Sequence, residues 1–388
     1  MADRSDCSEP MNLPEGIRSR MVDVKDLNLH ILECGDPKSP LILLLHGFPE
    51  LAFSWRKIIA PLSQLGYYVV APDQRGYGRT KSVLTPDRPI QYDDDISPYR
   101  MLNLVGDLVA LIYALGHEKV AAVIGHDFGS LITDYLSIIR PDMVDSIVLS
   151  SAPFTGAPPP SKGDASTTVW PPTVDELLLN LDPPRKHYTT YLSGPTANQD
   201  MMDAPQGLHS FFRGYIHVKS ADWHGNVPHP LHDASQLGEL PAYYVMPLAS
   251  TMAGVARQYA PSATEIAQNT WLPDEELAVY AAEFGRTGFQ GGLNWYRCLM
   301  DSRFASELSV FYKKKVEVPA MFISGRQDWG IYQSPRAIEK MKAVCTKMSE
   351  GDVVLVEHAG HWVQQEQPEE FLTHVRRFLS VSSGEDKP

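Results

Sequence analysis

The chain has 388 residues, 43% of them hydrophobic and 21% charged, the balance of an ordinary soluble protein with apolar material for a large core. Its formal net charge of −13 argues against nucleic acid and anionic membrane surfaces as partners, because both reward clustered Lys and Arg. The four cysteines, Cys7, Cys34, Cys298 and Cys345, are far apart, with no CxxC pair and no Cys/His cluster at zinc spacing. They point to a reducing compartment, and a cytoplasmic location is the default expectation. The N-terminal MADRSDCSEPMNLPEG lacks the apolar run of a signal peptide, and SSGEDKP at the other end carries no peroxisomal or prenylation signal. No apolar stretch approaches the ~18–20 residues that cross a bilayer.

Residues 28–34 alternate as a half-buried strand does. Leu41–Leu45, Tyr67–Ala71, Val120–Ile124 and Ile147–Leu149 follow as short, continuous apolar runs, and Ala320–Ile323 and Val353–Val356 come much later. Runs without alternation fit strands buried on both faces, as in a parallel sheet. Helical patterns separate them: 99–116, with Leu102, Val105, Leu108, Val109 and Ile112 on one stripe, then 129–139, 334–345 and 368–379. This alternation predicts an α/β doubly wound fold with right-handed crossovers. The rhythm stops near Pro153, where residues 155–172 are rich in Pro, Ser, Thr and Gly and read as an excursion, and it resumes at Val316. The expected architecture is one α/β core with a mostly parallel sheet, built from residues 1–154 and 312–388, and a mostly helical cap, 155–311, inserted between.

Gly125-His126-Asp127-Phe128-Gly129 follows a predicted strand and opens a predicted helix, the setting of a nucleophile elbow. The turn leaves no room for side chains at its flanks, hence the two glycines, and it thrusts the central residue above the strand end. With Asp127 in that place the chemistry changes. A carboxylate is ionised at neutral pH and attacks directly, without a base. It suits an sp³ carbon bearing a leaving group, such as an epoxide or a carbon–halogen bond, and leaves an ester that water must hydrolyse. Taken alone, Gly-x-Asp-x-Gly is equally a turn with Asp as a helix cap.

The partners of an elbow come later in the order acid, then His. Asp328, in ISGRQDWG, and His361, in EHAGHWVQQEQP, each follow a predicted strand, where strand ends converge. His361 is the expected base for water and Asp328 its orienting acid. His358 and Asp301 are the fallback candidates. The expected oxyanion donors are the backbone N–H groups of Phe128 and of Phe48 in the loop His46-Gly47-Phe48-Pro49-Glu50. Gly47 permits close backbone approach, Pro49 is a candidate cis-proline, and His46 is read as structural.

Together, His-Gly-Phe-Pro-Glu, Gly-His-Asp-Phe-Gly, Pro72-Asp73-Gln74-Arg75-Gly76-Tyr77-Gly78 and Gly-His-Trp resemble the α/β-hydrolase-fold epoxide hydrolases. Within the cap, Gly288-Phe289-Gln290-Gly291-Gly292-Leu293-Asn294-Trp295-Tyr296-Arg297 is similar to the segment in which that family carries an active-site tyrosine, which implies Tyr296 as one proton donor. A second tyrosine, early in the family's cap, corresponds to Tyr188 in HYTTYL, with Tyr191 as the alternative. The resemblance implies a small-molecule epoxide as substrate, no cofactor and no metal, and it leaves a homodimer open. Trp295, Pro49 and Trp362, beside these motifs, are the candidate substrate-binding residues. Resemblance weakens over about 220–262, which reads as an insertion; His224, His229 and His232 within it are read as loop residues rather than metal ligands.

Haloalkane and haloacid dehalogenases share an Asp nucleophile but must hold a leaving halide. Neither Phe128 nor Phe48 offers a side-chain donor, and the two tyrosines favour an epoxide. A hydrolase fold kept as a ligand-binding protein without turnover is the reading from a different class. Capture of the epoxide by an internal hydroxyl instead of water also stays open.

Overall fold

The computed structural model describes residues 11–86, 88–160 and 172–383; Cys7 and the middle of the Pro- and Ser-rich stretch lie outside these. The chain opens with an antiparallel pair, β1 (Arg18–Val24) and β2 (Leu27–Cys34). Next come β3 (Leu41–Leu45), α1 (Arg56–Ser63), β4 (Tyr68–Pro72), β5 (Lys81–Ser82) and α2 (Met101–Ala114). Then follow β6 (Ala122–His126), α3 (Phe128–Ile139) and β7 (Ile147–Ser150). The first strand and α1 are not evident from apolar patterning: β1 is half exposed, and Pro61 sits inside α1.

The continuous apolar runs sort into two layers once they are strands. In β3, Leu41, Leu43 and Leu45 face one core, with Leu104 and Leu108 of α2 and Ile132 and Leu136 of α3. Ile42 and Leu44 face the other, with Ile58 and Leu62 of α1. Helices on both faces of a parallel sheet require this pattern, because neither face is left to water.

Between β7 and β10 (Val316–Gly325) the chain leaves the sheet. It forms α4 (Pro172–Leu179), β8 (Arg185–His187), α5 (Tyr188–Leu192), α6 (Ala197–Met202) and α7 (Leu208–Lys219). Then come β9 (Val245–Pro247), α8 (Met252–Gln258), α9 (Ala263–Gln268), α10 (Asp274–Thr287), α11 (Gln290–Met300) and α12 (Ser302–Glu307). β8 and β9 pair antiparallel, a small sheet that sequence patterning does not reveal. After β10 come α13 (Ala337–Val344), β11 (Cys345–Lys347), β12 (Val353–Val356), α14 (Val363–Glu366) and α15 (Pro368–Ser383).

Among the described residues the large sheet has ten strands, along the path β1-β2-β4-β3-β6-β7-β10-β11, with β12 also paired to β10 and β5 to β2. Only β1, β2 and β5 run antiparallel to their neighbours. Chain order reverses between β3, which neighbours the later β4, and β6, so a crevice opens at the carboxyl ends of these two strands. The loops after β3, β6, β10 and β12 carry Phe48, Asp127, Asp328 and His361. No helix among the described residues is long and apolar enough to cross a membrane.

A buried cation ties the helical segment to the sheet. Arg56 on α1, 1% exposed, donates to the Gln365 side chain at 2.8 Å and to the Phe53 carbonyl at 3.3 Å, and it pairs with Glu276 of α10. Glu276→Ala leaves that guanidinium short of its counter-charge. Because Glu276 is partly exposed, the expected loss is about 1–3 kcal/mol, below the range for a fully buried pair. A lowered urea midpoint checks it; an unchanged midpoint would show that Gln365 and the Tyr280 hydroxyl, which accepts from the same guanidinium at 3.5 Å, suffice.

Candidate active site

Asp127 sits between β6 and α3 at φ 54° and ψ −118°, a left-handed conformation that few non-glycine residues adopt. Its N–H donates to the Ser150 carbonyl at 3.0 Å, and its carbonyl accepts from Ser130 N–H at 3.0 Å, so β7 on one side and the first turn of α3 on the other hold the strained turn. A Cβ on Gly125 would lie 2.3 Å from the Gly129 carbonyl oxygen, and one on Gly129 would lie 2.1 Å from that of Leu45. The flanking glycines are therefore steric requirements of the elbow.

The side chain of Asp127 meets two groups. Its Oδ1 accepts the Phe48 N–H at 3.1 Å, and its Oδ2 lies 3.6 Å from His361 Nε2. That nitrogen is buried and has no hydrogen-bond partner. The other ring nitrogen, Nδ1, faces both oxygens of Asp328 at 3.2 and 3.3 Å. Asp328 also accepts from Gly330 N–H at 2.6 Å and from the Ser324 hydroxyl at 3.0 Å. Burial opposes ionisation of Asp328, yet His361 beside it, the Gly330 N–H and the Ser151 hydroxyl hold its carboxyl below the ordinary range. Burial also keeps His361 below the usual imidazole value, more than the pull of Asp328 restores. The imidazole is thus neutral near pH 7, with Nε2 free to accept a proton.

The expected cis peptide is present at Phe48–Pro49. Phe128 opens α3 directly after Asp127, where helix amides have no partner within the helix. Tyr188 and Tyr296 line one pocket with Asp127, of about 250 Å³, and their ring centroids are 5.9 Å apart. Tyr296 packs edge-on against Phe48 at 5.4 Å and Phe128 at 4.7 Å. Burial first, then the nearby Asp127, pushes the Tyr188 phenol far up; for Tyr296 burial, then Tyr188 and Asp127, do the same. Both stay protonated. The Gly291-Gly292 pair that precedes Tyr296 has its own reason: a Cβ on Gly291 would lie 2.0 Å from the Gly76 carbonyl oxygen, so α11 rests backbone to backbone on the loop after β4.

Other candidates fall elsewhere. The Tyr191 hydroxyl donates to Asp200 at 3.1 Å and is absent from the pocket lining. Asp301 caps α12 and pairs with Arg303, and His358 is an exposed turn residue at φ 56°. Trp295 packs behind Phe128 at 5.5 Å and donates its indole N–H to the Arg75 carbonyl, so it shapes the pocket from outside its lining. Trp362 stacks edge-on against His361 at 4.6 Å and donates to the Ile216 carbonyl. Pro49 is buried and likewise absent from that lining. His229 pairs with Glu239 at 2.8 Å, and among the described residues no group of three His, Cys, Asp or Glu side chains is set to hold a metal.

Several residues that position these groups escaped the sequence reading. His126 points both ring nitrogens at acceptors: Nδ1 at Glu50 Oε2, 2.5 Å away, and Nε2 at the His361 carbonyl, 2.7 Å away. An imidazole can satisfy two acceptors only as the cation. Burial disfavours both charges, but their mutual attraction outweighs it, holding Glu50 down to about 2 and His126 up to about 9. The Ser151 hydroxyl donates to the same carbonyl at 2.9 Å, and the His361 N–H donates to the Lys219 carbonyl, at the end of α7, at 2.9 Å. Glu366 accepts three backbone N–H groups around this loop, from Ala221, Gly360 and Trp362, at 2.8–2.9 Å. The Lys219 ammonium lies 4.7 Å from the Tyr244 ring centroid and 6.0 Å from that of Tyr188. The only sequence signal for Glu50 and His126 is that each lies inside a motif already singled out for its neighbour.

The chain matches the sequence profile of the family described as alpha/beta hydrolase fold over residues 40–181. It is 30% identical over 374 residues to epoxide hydrolase A of Mycobacterium tuberculosis, covering 93% of this chain and 97% of that one. Epoxide hydrolase 3 of Siraitia grosvenorii is 30% identical over 365 residues, covering 92% and 97%. Among solved structures, potato (Solanum tuberosum) epoxide hydrolase I superposes with a TM-score of 0.70 at 32% identity, covering 94% of this chain and 99% of that one. An epoxide hydrolase from an endophytic Streptomyces gives 0.74 at 28% identity, covering 96% and 97%.

Two outcomes follow from the geometry. A Cβ on Gly47 would lie 2.4 Å from Asp127 Cβ and Oδ1, so Gly47→Ala should displace the carboxylate. A displacement on the order of 1 Å is expected to lower single-turnover rates about 100-fold, and a wild-type rate would remove the constraint. The Glu50–His126 pair stabilises fully where both partners are charged even unfolded, between their ordinary values of 4.5 and 6.5. That contribution is lost as pH falls through about 2 and as it rises through about 9. The Tm gap between wild type and Glu50→Gln should therefore be wide at pH ~6 and narrow above ~9; an equal gap at both would mean that the pair is not ionised.

Proposed function

The chain belongs to the epoxide hydrolases of the α/β-hydrolase fold, and we propose that it opens its epoxide with the Asp127 carboxylate and hydrolyses the resulting ester with water activated by His361. The observation that carries this reading is that two buried phenols, Tyr188 and Tyr296, line the pocket of a carboxylate whose other neighbour is an imidazole nitrogen without a hydrogen-bond partner.

In the first step an Asp127 oxygen attacks a ring carbon, the carbon–oxygen bond of the epoxide breaks, and the ring oxygen takes a proton from Tyr296 or Tyr188. Burial keeps both phenols protonated until negative charge develops on that oxygen, which is when the proton is wanted. The product is a hydroxyalkyl ester of Asp127. In the second step His361 Nε2 removes a proton from a water, whose oxygen attacks the ester carbonyl carbon. The N–H groups of Phe48 and Phe128 stabilise the oxyanion, and Asp328 steadies the imidazolium through Nδ1. On collapse the ester oxygen leaves as an alkoxide and takes the proton from the His361 imidazolium, the second proton of the water returns to the phenolate, and the product is a vicinal diol, one oxygen of which came from Asp127, while the water oxygen stays in the carboxylate. The segment 155–311 acts as the cap that supplies the phenols and shields the ester from bulk water. Halide release fits less well, because the indole N–H groups of Trp295 and Trp362 are already given to backbone carbonyls. The described cysteines, Cys34, Cys298 and Cys345, are free thiols, in keeping with a reducing cytoplasm.

Single turnover of an epoxide in ¹⁸O-labelled water should place label in Asp127, and Asp127→Ala should lose about 10⁴-fold or more of the activity. His361→Gln should accumulate the ester, visible as a mass increase of the intact protein equal to one substrate. Tyr296→Phe is expected to slow alkylation about 10–100-fold. Full activity of Asp127→Ala on epoxides would overturn the mechanism.

A further inference from the structure

One buried acid takes no part in this chemistry. Asp134 lies on α3, seven residues after Asp127. It is fully buried, and neither carboxyl oxygen has a hydrogen-bond partner. Burial alone drives the carboxyl well above its ordinary range, with no cation opposing it. The ionisable neighbours that feel its charge, Tyr135 and Cys345, are themselves pushed up by burial and stay neutral. A buried polar group without a partner destabilises a fold, and an apolar side chain of similar size would remove that penalty.

Its place in the molecule suggests what offsets the penalty. Asp127, Phe128, Leu131 and Asp134 all line the same pocket. These positions form one stripe along a helix. The pocket therefore follows α3 for two turns, roughly 10 Å at 1.5 Å per residue. Ala152, Pro153 and Phe154 after β7, with Leu299 and Ala337, supply an otherwise mostly apolar wall. A ligand that reaches from Asp127 along this wall brings its far end to Asp134.

Resting on the reading of this pocket as an epoxide site, we propose that Asp134 recognises the far end of the substrate: the pocket takes an epoxide bearing a hydroxyl about 10 Å from the carbon that Asp127 attacks. A hydroxyl both donates and accepts, which matches a protonated carboxyl with one O–H and a free carbonyl oxygen. The carboxyl oxygens are covered, so contact requires a rotamer change of Asp134 towards the ligand, which also relieves the unpaired burial. An ammonium group fits the site less well, because stripping water from a full charge against this wall costs more than stripping it from a hydroxyl.

The test is kcat/KM for a terminal straight-chain epoxide, its ω-hydroxy counterpart of matching length and the corresponding ω-amino epoxide. Wild type should prefer the hydroxy epoxide over the alkyl one by about tenfold, the effect of one buried hydrogen bond. Asp134→Leu should abolish the preference while raising Tm, since it removes an unpaired buried carboxyl. Asp134→Asn, which keeps a neutral donor and acceptor, should retain most of it. Equal values for the alkyl and hydroxy epoxides in wild type, an unchanged ratio in Asp134→Leu, or preference for the amine would overturn the proposal. If wild type turns over none of the three, the epoxide reading itself fails and the proposal falls with it; turnover of the alkyl epoxide without discrimination rejects only the role of Asp134.

Discussion

The ion pair between Glu50 and His126 is the constraint on which the rest of the site hangs. It is buried, so water cannot compete for either partner, and it aims the second N–H of His126 at the carbonyl of His361. Three loops meet in that contact. Glu50 belongs to the loop that presents the Phe48 N–H, His126 directly precedes Asp127, and the His361 loop follows β12. Moving any one of them would cost the pair its geometry. The side chains of Gln364 and Gln365 donate to the remaining oxygen of Glu50 at 3.1 and 3.0 Å, so the carboxylate is satisfied on every side. A buried pair partly satisfied would be a liability; fully satisfied, it rigidifies the centre of the molecule.

The inserted helices complete this arrangement from the opposite side. The last carbonyls of α7 have no partner within the helix, and that of Lys219 accepts the His361 N–H. The His361 peptide is thus held by the sheet through its carbonyl and by the helical segment through its N–H. The segment also brings the Tyr188 and Tyr296 phenols and the Lys219 ammonium into a space from which water is largely excluded. Burial there keeps the phenols protonated and the lysine below its ordinary value, while the carboxylates of Asp127, Asp328 and Glu50 favour its charge. Fold and protonation state have one origin, because the packing that closes the pocket is what sets the charges within it.

Much of this was legible in the chain because it is local. A continuous apolar run marks a strand covered on both faces, and Gly-x-Asp-x-Gly marks a turn in which two side chains do not fit. The order Asp127, Asp328, His361 follows from parallel strands that present their carboxyl ends on one edge. Departures from the reading also have local causes. Half-exposed β1 and the short pair β8–β9 carry little apolar signal, and Trp295 reads as a pocket residue until its indole N–H is seen to be committed to the Arg75 carbonyl. Tyr188 and Tyr191 stand three residues apart in one short helix, and no pattern in HYTTYL says which of them faces Asp127.

By itself the sequence determined the layered α/β architecture, the tight turn at Asp127, and the kind of residue available at each strand end, since each depends on the periodicity and size of neighbouring side chains. The tertiary structure alone decided which groups meet: His126 with the His361 carbonyl, 235 positions away, and Gly291 with Gly76. It also decided that Asp134, one more acid on an amphipathic helix when read in sequence, lies unpaired along the pocket of Asp127. The reason is physical. Local pattern reports whether a side chain prefers water, whereas its protonation state and partner depend on which distant surfaces have displaced that water.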